Sequence, residues 1–237
     1  MISYLKKLFS DNSDQKKQMI TMAMIHKLRT PLTEARWAVE EVLKTVDSEH
    51  KNMLEKSKDK IIESIKLTSE IMDTAKLDIS DGDFKTGIEK INFNSFVAKI
   101  LSNLNFLAKN KKITLNTTES ERMEIKGNPK LLDLAITNIF DNAMRYSPEG
   151  GVNISLSKIN NKACLTVSDT GIGIDPADMG HLFQKFFRGK NAILLDPNES
   201  GFGLYATKKI IEMHGGSINI SSVLGKGTKV EVILPIY

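Results

Sequence analysis

Gly151-Val-Asn-Ile-Ser-Leu-Ser-Lys-Ile-Asn-Asn-Lys-Ala-Cys-Leu-Thr-Val-Ser168 alternates apolar and polar residues on both sides of Asn160-Asn161. Period-two alternation places one face of each segment in a core, and an asparagine pair between two such segments favours a tight β-hairpin turn. Strands are therefore predicted at 151–158 and 162–168, with Cys164 as a small buried or half-buried filler in the second. Immediately upstream a helix is expected from Pro129 to Tyr146, closed by Ser147-Pro148 because the residue before proline avoids helical backbone. Further upstream stand a short strand at 88–93, a helix over Ser95–Asn110 with Asn94 as its N-cap, and strands at 112–117 and 122–126. Downstream, a helix runs to about His214, and a last hairpin, 217–222 with 228–234, turns at Gly225-Lys-Gly227. Strands and helices are grouped rather than alternating, which favours a mixed sheet with helices on one face, a two-layer α/β sandwich.

The N-terminal third follows a different period. Ile25, Leu32, Val39 and Val46 form one heptad row, and Leu28, Ala35 and Val42 the other. After a break at Asp47-Ser48, Leu54, Ile61, Thr68 and Ala75 interleave with Lys58, Ile65 and Met72. These are a/d seams on two helices joined by a short turn, an antiparallel hairpin. One hairpin cannot cover a two-sided apolar stripe, so pairing with a second copy into a four-helix bundle is expected. The class is thus α+β in two domains: a lead-in at 1–14, the hairpin at 15–78, a polar linker at 79–87 containing Gly82, and the sandwich at 88–237.

At 237 residues, 41% apolar and 26% charged, the chain suits two small globular domains. The net charge of +4 comes from dispersed lysines rather than a basic, aromatic-laced patch, which argues against nucleic-acid binding. No run approaches the roughly 18 apolar residues of a membrane helix. Met1–Phe9 places Ile2, Leu5, Leu8 and Phe9 at helical spacing, a helical lead-in too short to span. The single cysteine excludes an internal disulfide and suits a reducing, cytoplasmic compartment.

Four clusters carry chemistry. In His26-Lys-Leu-Arg-Thr-Pro-Leu-Thr33, His26 lies beside the seam, and Pro31 withdraws the bond to the Lys27 carbonyl at a cost of about 3 kcal/mol. A bend retained beside an exposed nucleophile marks a working site. In Asn138-Ile-Phe-Asp-Asn-Ala-Met-Arg-Tyr146, Asn138, Asn142 and Arg145 share one helix face, a set suited to phosphates and a hydrated metal ion. In Asp169-Thr-Gly-Ile-Gly-Ile174, the carboxylate suits an exocyclic amine, and Gly171 and Gly173 allow a close approach to a ligand. Glu199-Ser-Gly-Phe-Gly-Leu204 opens a helix whose first amides suit an anion.

In this order the clusters resemble the H, N, G1 and G2 boxes of sensor histidine kinases. Leu182-Phe-Gln-Lys-Phe-Phe-Arg-Gly189 is similar to their F box, and His214-Gly-Gly216 with Gly225-Lys-Gly-Thr228 to their closing pattern. The resemblance spans residues 15 to 237 and implies a homodimer with a Bergerat-type ATP-binding domain. It implies that His26 accepts the γ-phosphoryl group of ATP and passes it to an aspartate on a response regulator receiver domain. It further implies that Asn142 holds Mg²⁺ beside Asn138, that Arg145 lies near the phosphates, and that Asp169 reads adenine. Tyr146, Gly171, Ile172, Gly173, Arg188, Gly201, Gly203 and Leu204 would line the nucleotide, under a lid at about 175–200. Thr30 matches the threonine tied to regulator dephosphorylation. The stimulus enters through a partner or an upstream receptor segment.

Two positions depart from the pattern. Lys27 stands where the family carries an acidic base, and an ammonium has no lone pair to take the imidazole proton. Glu199 stands where a glycine opens the G2 box. Both keep open a kinase-impaired, ATP-binding dimeric scaffold or phosphatase. A gyrase-type ATP-hydrolysing clamp would need a glutamate at position 138, which here is asparagine. Trp37, outward on the first helix, is read either as a lone exposed aromatic or as a regulator-docking contact.

Overall fold

The structure, a computed structural model, describes residues 14–79, 87–105, 113–117, 122–147, 151–196 and 199–237. Side chains of residues 14–27, 48–49, 63, 66–67, 69–79, 104–105 and 113–117 lie outside that description. The lead-in helix and the Gly82 hinge fall outside the described residues. The chain divides into two compact units, Met1–Ser80 and Asp81–Tyr237.

The first unit is a hairpin of α1 (Asp14–Val42) and α2 (Ser48–Ile79), with Pro31 inside α1. Asp47 caps α2: its Oδ1 accepts the His50 amide at 3.2 Å. One heptad row, Leu32, Val39 and Val46, is half-buried, whereas Leu28, Ala35 and Val42 of the other row stay exposed. At the α2 seam the Thr68 hydroxyl donates to the Ile65 carbonyl at 2.8 Å, so this polar residue satisfies itself within the helix.

The second unit runs β1 (Glu89–Asn92), α3 (Phe93–Asn105), β2 (Ile113–Thr117), β3 (Glu124–Gly127), α4 (Pro129–Arg145), β4 (Val152–Ile159), β5 (Lys162–Asp169), α5 (Lys190–Leu195), α6 (Gly203–Met213), β6 (Ser217–Val223) and β7 (Gly227–Pro235). Five strands form a mixed sheet in the order β2-β4-β5-β7-β6, with only the β2–β4 pair parallel. Asn160 and Asn161 adopt φ of +49° and +58°, the left-handed pair that a two-residue hairpin turn needs. Helices α4 and α6 pack on the sheet, and α3 packs on α4. The core joins Ile154, Leu156, Leu165, Val167, Val232 and Leu234 of the sheet to Leu132, Ile136, Ile139 and Phe140 of α4 and Ile210 and Ile211 of α6.

Two details differ from the sequence reading. Strands β1 and β3 form a separate antiparallel pair rather than joining the sheet. Helix α3 begins at Phe93, not Ser95, because Asn92 caps it: its Oδ1 accepts the Ser95 amide at 3.1 Å. That earlier start buries Phe93 completely. Asn94 is instead spent on the Met123 amide at 3.0 Å, tying α3 to the approach to β3.

Buried His214 fastens the start of α4 to the end of α6. Its Nε2 accepts the Asn128 amide at 3.0 Å, and its Nδ1 donates to the Ile210 carbonyl at 2.6 Å. Asn128 is the N-cap of α4, its side chain accepting from the amides of Lys130 and Leu131. Only the neutral imidazole makes both bonds, and burial lowers its pKa below the ordinary 6.5. A lowered folded pKa means that the unfolded chain binds the proton more tightly. This contribution is therefore complete above about pH 6.5 and declines as pH falls towards the folded value. The melting temperature of the chain should drop between pH 7.5 and 5, and His214→Gln should flatten that part of the profile. His214→Ala should cost about 1–2 kcal/mol in chemical denaturation at neutral pH, through loss of its bond to the half-buried Asn128 amide and of one of the two bonds to the Ile210 carbonyl.

Candidate functional site

The C-terminal end of α4, the end of β5 and the β6–β7 turn meet at one corner. Burial raises the pKa of Asp169, against the backbone N–H bonds it accepts. Its Oδ1 takes the amides of Gly171 at 2.9 Å and Thr228 at 3.2 Å, and the Ser147 hydroxyl lies beside the carboxylate. The loop after Asp169 is stitched on both sides: Ile172 N–H donates to the Tyr146 carbonyl at 3.0 Å, and Gly225 N–H to the Ile172 carbonyl at 2.8 Å.

The glycines of this corner lie against the chain's own backbone. A Cβ on Gly171 would sit 2.0 Å from the Tyr146 carbonyl oxygen, and one on Gly173 2.1 Å from that of Val223. Their close approach is to the protein's own backbone, which is what holds Asp169 in place. Gly201 packs against the F-box backbone at Phe186 and Phe187. Gly203, at the start of α6, meets only the Asn138 side chain, at 3.7 Å and beyond, an ordinary van der Waals contact, so this site glycine is open enough to accept a methyl.

Helix α4 presents its polar residues as expected. Leu132, Ala135, Ile136, Ile139, Phe140 and Ala143 face the core, while Asn138, Asn142 and Arg145 are half-buried beside them. Asn138 donates weakly to the Gly203 carbonyl at 3.4 Å, linking α4 to the first turn of α6. Leu204, next along, is half-buried. Burial would lower the pKa of Arg145, but three carboxylates more than offset it and hold the guanidinium above its ordinary value. Its Nη1 lies 2.5 Å from Asp196, and its Nη2 lies 3.2 Å from Asp141 and 3.0 Å from Glu199. Glu199 is therefore ion-paired in place with Arg145. Burial also raises the Tyr146 hydroxyl, against the Arg188 guanidinium beside it. Arg188 donates to the carbonyls of Glu199 and Ala192, each at 3.1 Å, and to that of Asp196.

The segment between Asp175 and Ser200 thus carries the short helix α5 and is held at the corner by polar contacts. Asn191 Nδ2 donates to the Gly173 carbonyl at 2.7 Å, fixing α5 to the loop below it. Sequence reasoning missed Asn191 and Asp196 because neither belongs to a periodic pattern or a motif. In the hairpin, the Thr30 side chain is exposed and Trp37 is 58% exposed, whereas the His26 and Lys27 side chains lie outside the described residues. Among the described residues no cluster of His, Cys, Asp and Glu could form a metal centre by itself. The donor set instead suits a hydrated ion held through carboxamides and a ligand's own oxygens: Asn138 and Asn142 fit that role.

Residues 127–237 match the family described as histidine kinase-, DNA gyrase B-, and HSP90-like ATPase. The sensor histidine kinase RppB of Synechocystis sp. is 30% identical over 230 residues, covering 95% of this chain and 50% of RppB. The circadian input-output histidine kinase CikA of Synechococcus elongatus is 29% identical over 231 residues, covering 90% of this chain and 29% of CikA. The solved structure of full-length ShkA in complex with AMPPNP shares the fold, with a TM-score of 0.76 at 18% identity over 92% of this chain and 46% of ShkA. The mycobacterial sensor histidine kinase MprB gives a TM-score of 0.56 at 26% identity, covering 62% of this chain and 98% of that one. Over nine-tenths or more of its length the chain is similar to these sensor histidine kinases, and it spans half or less of the length of these two curated relatives. No described helix is long and apolar enough to cross a membrane.

The clamp and the open glycine should separate in mutagenesis. Gly171→Ala should destabilise the second unit by about 3 kcal/mol through backbone overpacking. Gly203→Ala, in a helical first turn with room for a methyl, should stay within about 1 kcal/mol of the parent. Equilibrium denaturation of both variants checks the ranking; equal losses would contradict it.

Proposed function

We propose that this chain binds ATP-Mg at the Asp169 corner and transfers the γ-phosphoryl group to His26. From there the group passes to an aspartate on a response regulator receiver domain. The observation that carries the reading is that the loop of the Asp169 carboxylate, itself fixed by two amides, bonds to the Tyr146 carbonyl at the end of the helix that carries Asn138, Asn142 and Arg145. Asp169 accepts the exocyclic amine of adenine, and Ile172, Gly173 and Leu204 line the base and sugar. Asn142, with Asn138 beside it, would hold Mg²⁺, which when bound neutralises charge on the phosphates. The His26 imidazole attacks phosphorus, the bond to the ADP oxygen breaks, and the ring proton leaves to solvent, because Lys27 cannot accept it.

Dimerisation is supported by the exposed Leu28–Ala35–Val42 row, an apolar stripe that a second hairpin would cover. We assign phosphotransfer to a hairpin over 15–78, nucleotide binding to 88–237 and a hinge to 79–87. A cytoplasmic setting, where ATP is available, fits the single reduced cysteine. A second reading, a phosphatase or scaffold with weak kinase activity, is favoured by Lys27, with Thr30 exposed and able to position water.

Incubation with γ-labelled ATP and Mg²⁺ should label the chain at His26, with acid-labile, alkali-stable phosphate that His26→Gln abolishes. Lys27→Glu should accelerate labelling by about 10²-fold, the lower range for restoring a general base. Label on any other side chain, or none under saturating ATP-Mg, would sink the kinase reading. Trp37→Ala should leave labelling intact and slow transfer to the regulator; equal transfer rates would return Trp37 to an ordinary exposed aromatic.

A further inference from the structure

We propose that Asp196 and Glu199 are built-in competitors for Arg145, latching the segment around α5 to α4 until a phosphate-bearing ligand displaces them. The inference rests on the nucleotide reading above and deepens it. A guanidinium captures a phosphate best through two parallel N–H bonds, one from each side of its fork. In Arg145 both terminal nitrogens are committed, Nη1 to Asp196 and Nη2 to Asp141 and Glu199. Arg145, Asp196 and Glu199 side chains are only 27%, 21% and 25% exposed, so these pairs are less screened by water and salt than surface pairs.

The two arginines at the corner act differently. Arg188 belongs to the same segment as α5 and holds backbone carbonyls, which no ligand anion replaces. Arg145 comes from α4 and holds carboxylates, which a phosphate replaces like for like. Asp141 sits on α4 itself and stays with Arg145 in either state. Exchange of Asp196 and Glu199 for phosphate therefore releases the segment's ionic tie to α4 without unfolding it, while Asn191 keeps its bond to the Gly173 carbonyl. The latched state also carries one excess negative charge, three carboxylates against Arg145 and Arg188, so an incoming anion meets repulsion until the carboxylates leave.

A ligand that binds only the unlatched fraction has its apparent Kd raised by the reciprocal of that fraction. Calorimetric titration of the chain and of the double variant Asp196→Asn/Glu199→Gln with MgATP and with adenosine tests this. The double variant should bind MgATP about tenfold more tightly, as for a latch open in about a tenth of molecules. Adenosine, which brings no phosphate, should bind both proteins equally. Amide hydrogen exchange over residues 190–196 should quicken in the ligand-free variant. A parent that binds MgATP and a variant that binds it no more tightly, or less tightly, overturns the latch alone. A parent that binds neither ligand overturns the nucleotide reading, and the latch with it.

Discussion

The Asp169 carboxylate is held where it is by three separate stretches of chain, and the rest of the site depends on that fixation. Its Oδ1 accepts one amide from its own loop and one from β7. The loop is bonded to the end of α4 through Tyr146 and to the β6–β7 turn through Gly225. Since Gly171 and Gly173 leave no room for a side chain against those neighbours, the loop has a single seat. A polar group positioned by rigid elements needs little reorganisation when a partner arrives, which is the physical meaning of a preorganised site.

The segment above it is built on the opposite plan. It is fastened by Asn191 to the Gly173 carbonyl, by Arg188 to carbonyls, and by the edge-on packing of Phe186 against Phe202 at 4.1 Å. Leu194 is 86% exposed, so α5 contributes little buried apolar surface. Polar fastenings over a thin core give a low local opening free energy, the property expected of an element that moves while its floor does not.

Much of this was legible in the chain. The alternation around Asn160-Asn161, the apolar stripe of α4 and the heptads of the hairpin are periodic signals, and each set an element. Neighbour relations without periodicity were not legible. Asn94 is the expected cap of α3, but Asn92 caps it, and the earlier start gives Phe93 a fully buried place. The pairing of β1 with β3 apart from the main sheet depends on long-range registry that four-residue strands do not encode. The pairing of Glu199 was not legible because its partner, Arg145, lies 54 positions away in sequence yet 3.0 Å away in space. The contacts of Gly171 and Gly173 with the backbone of Tyr146 and Val223 were likewise not legible, since both partners lie far off in sequence.

The only tryptophan of the chain, Trp37, sits on the hairpin with more than half its surface exposed, while the nucleotide-binding unit contains none. Indole emission from this protein therefore originates wholly in the hairpin. Its colour and quenching are a built-in optical gauge of whatever approaches that helix, blind to changes of local environment inside the other unit and requiring no attached dye.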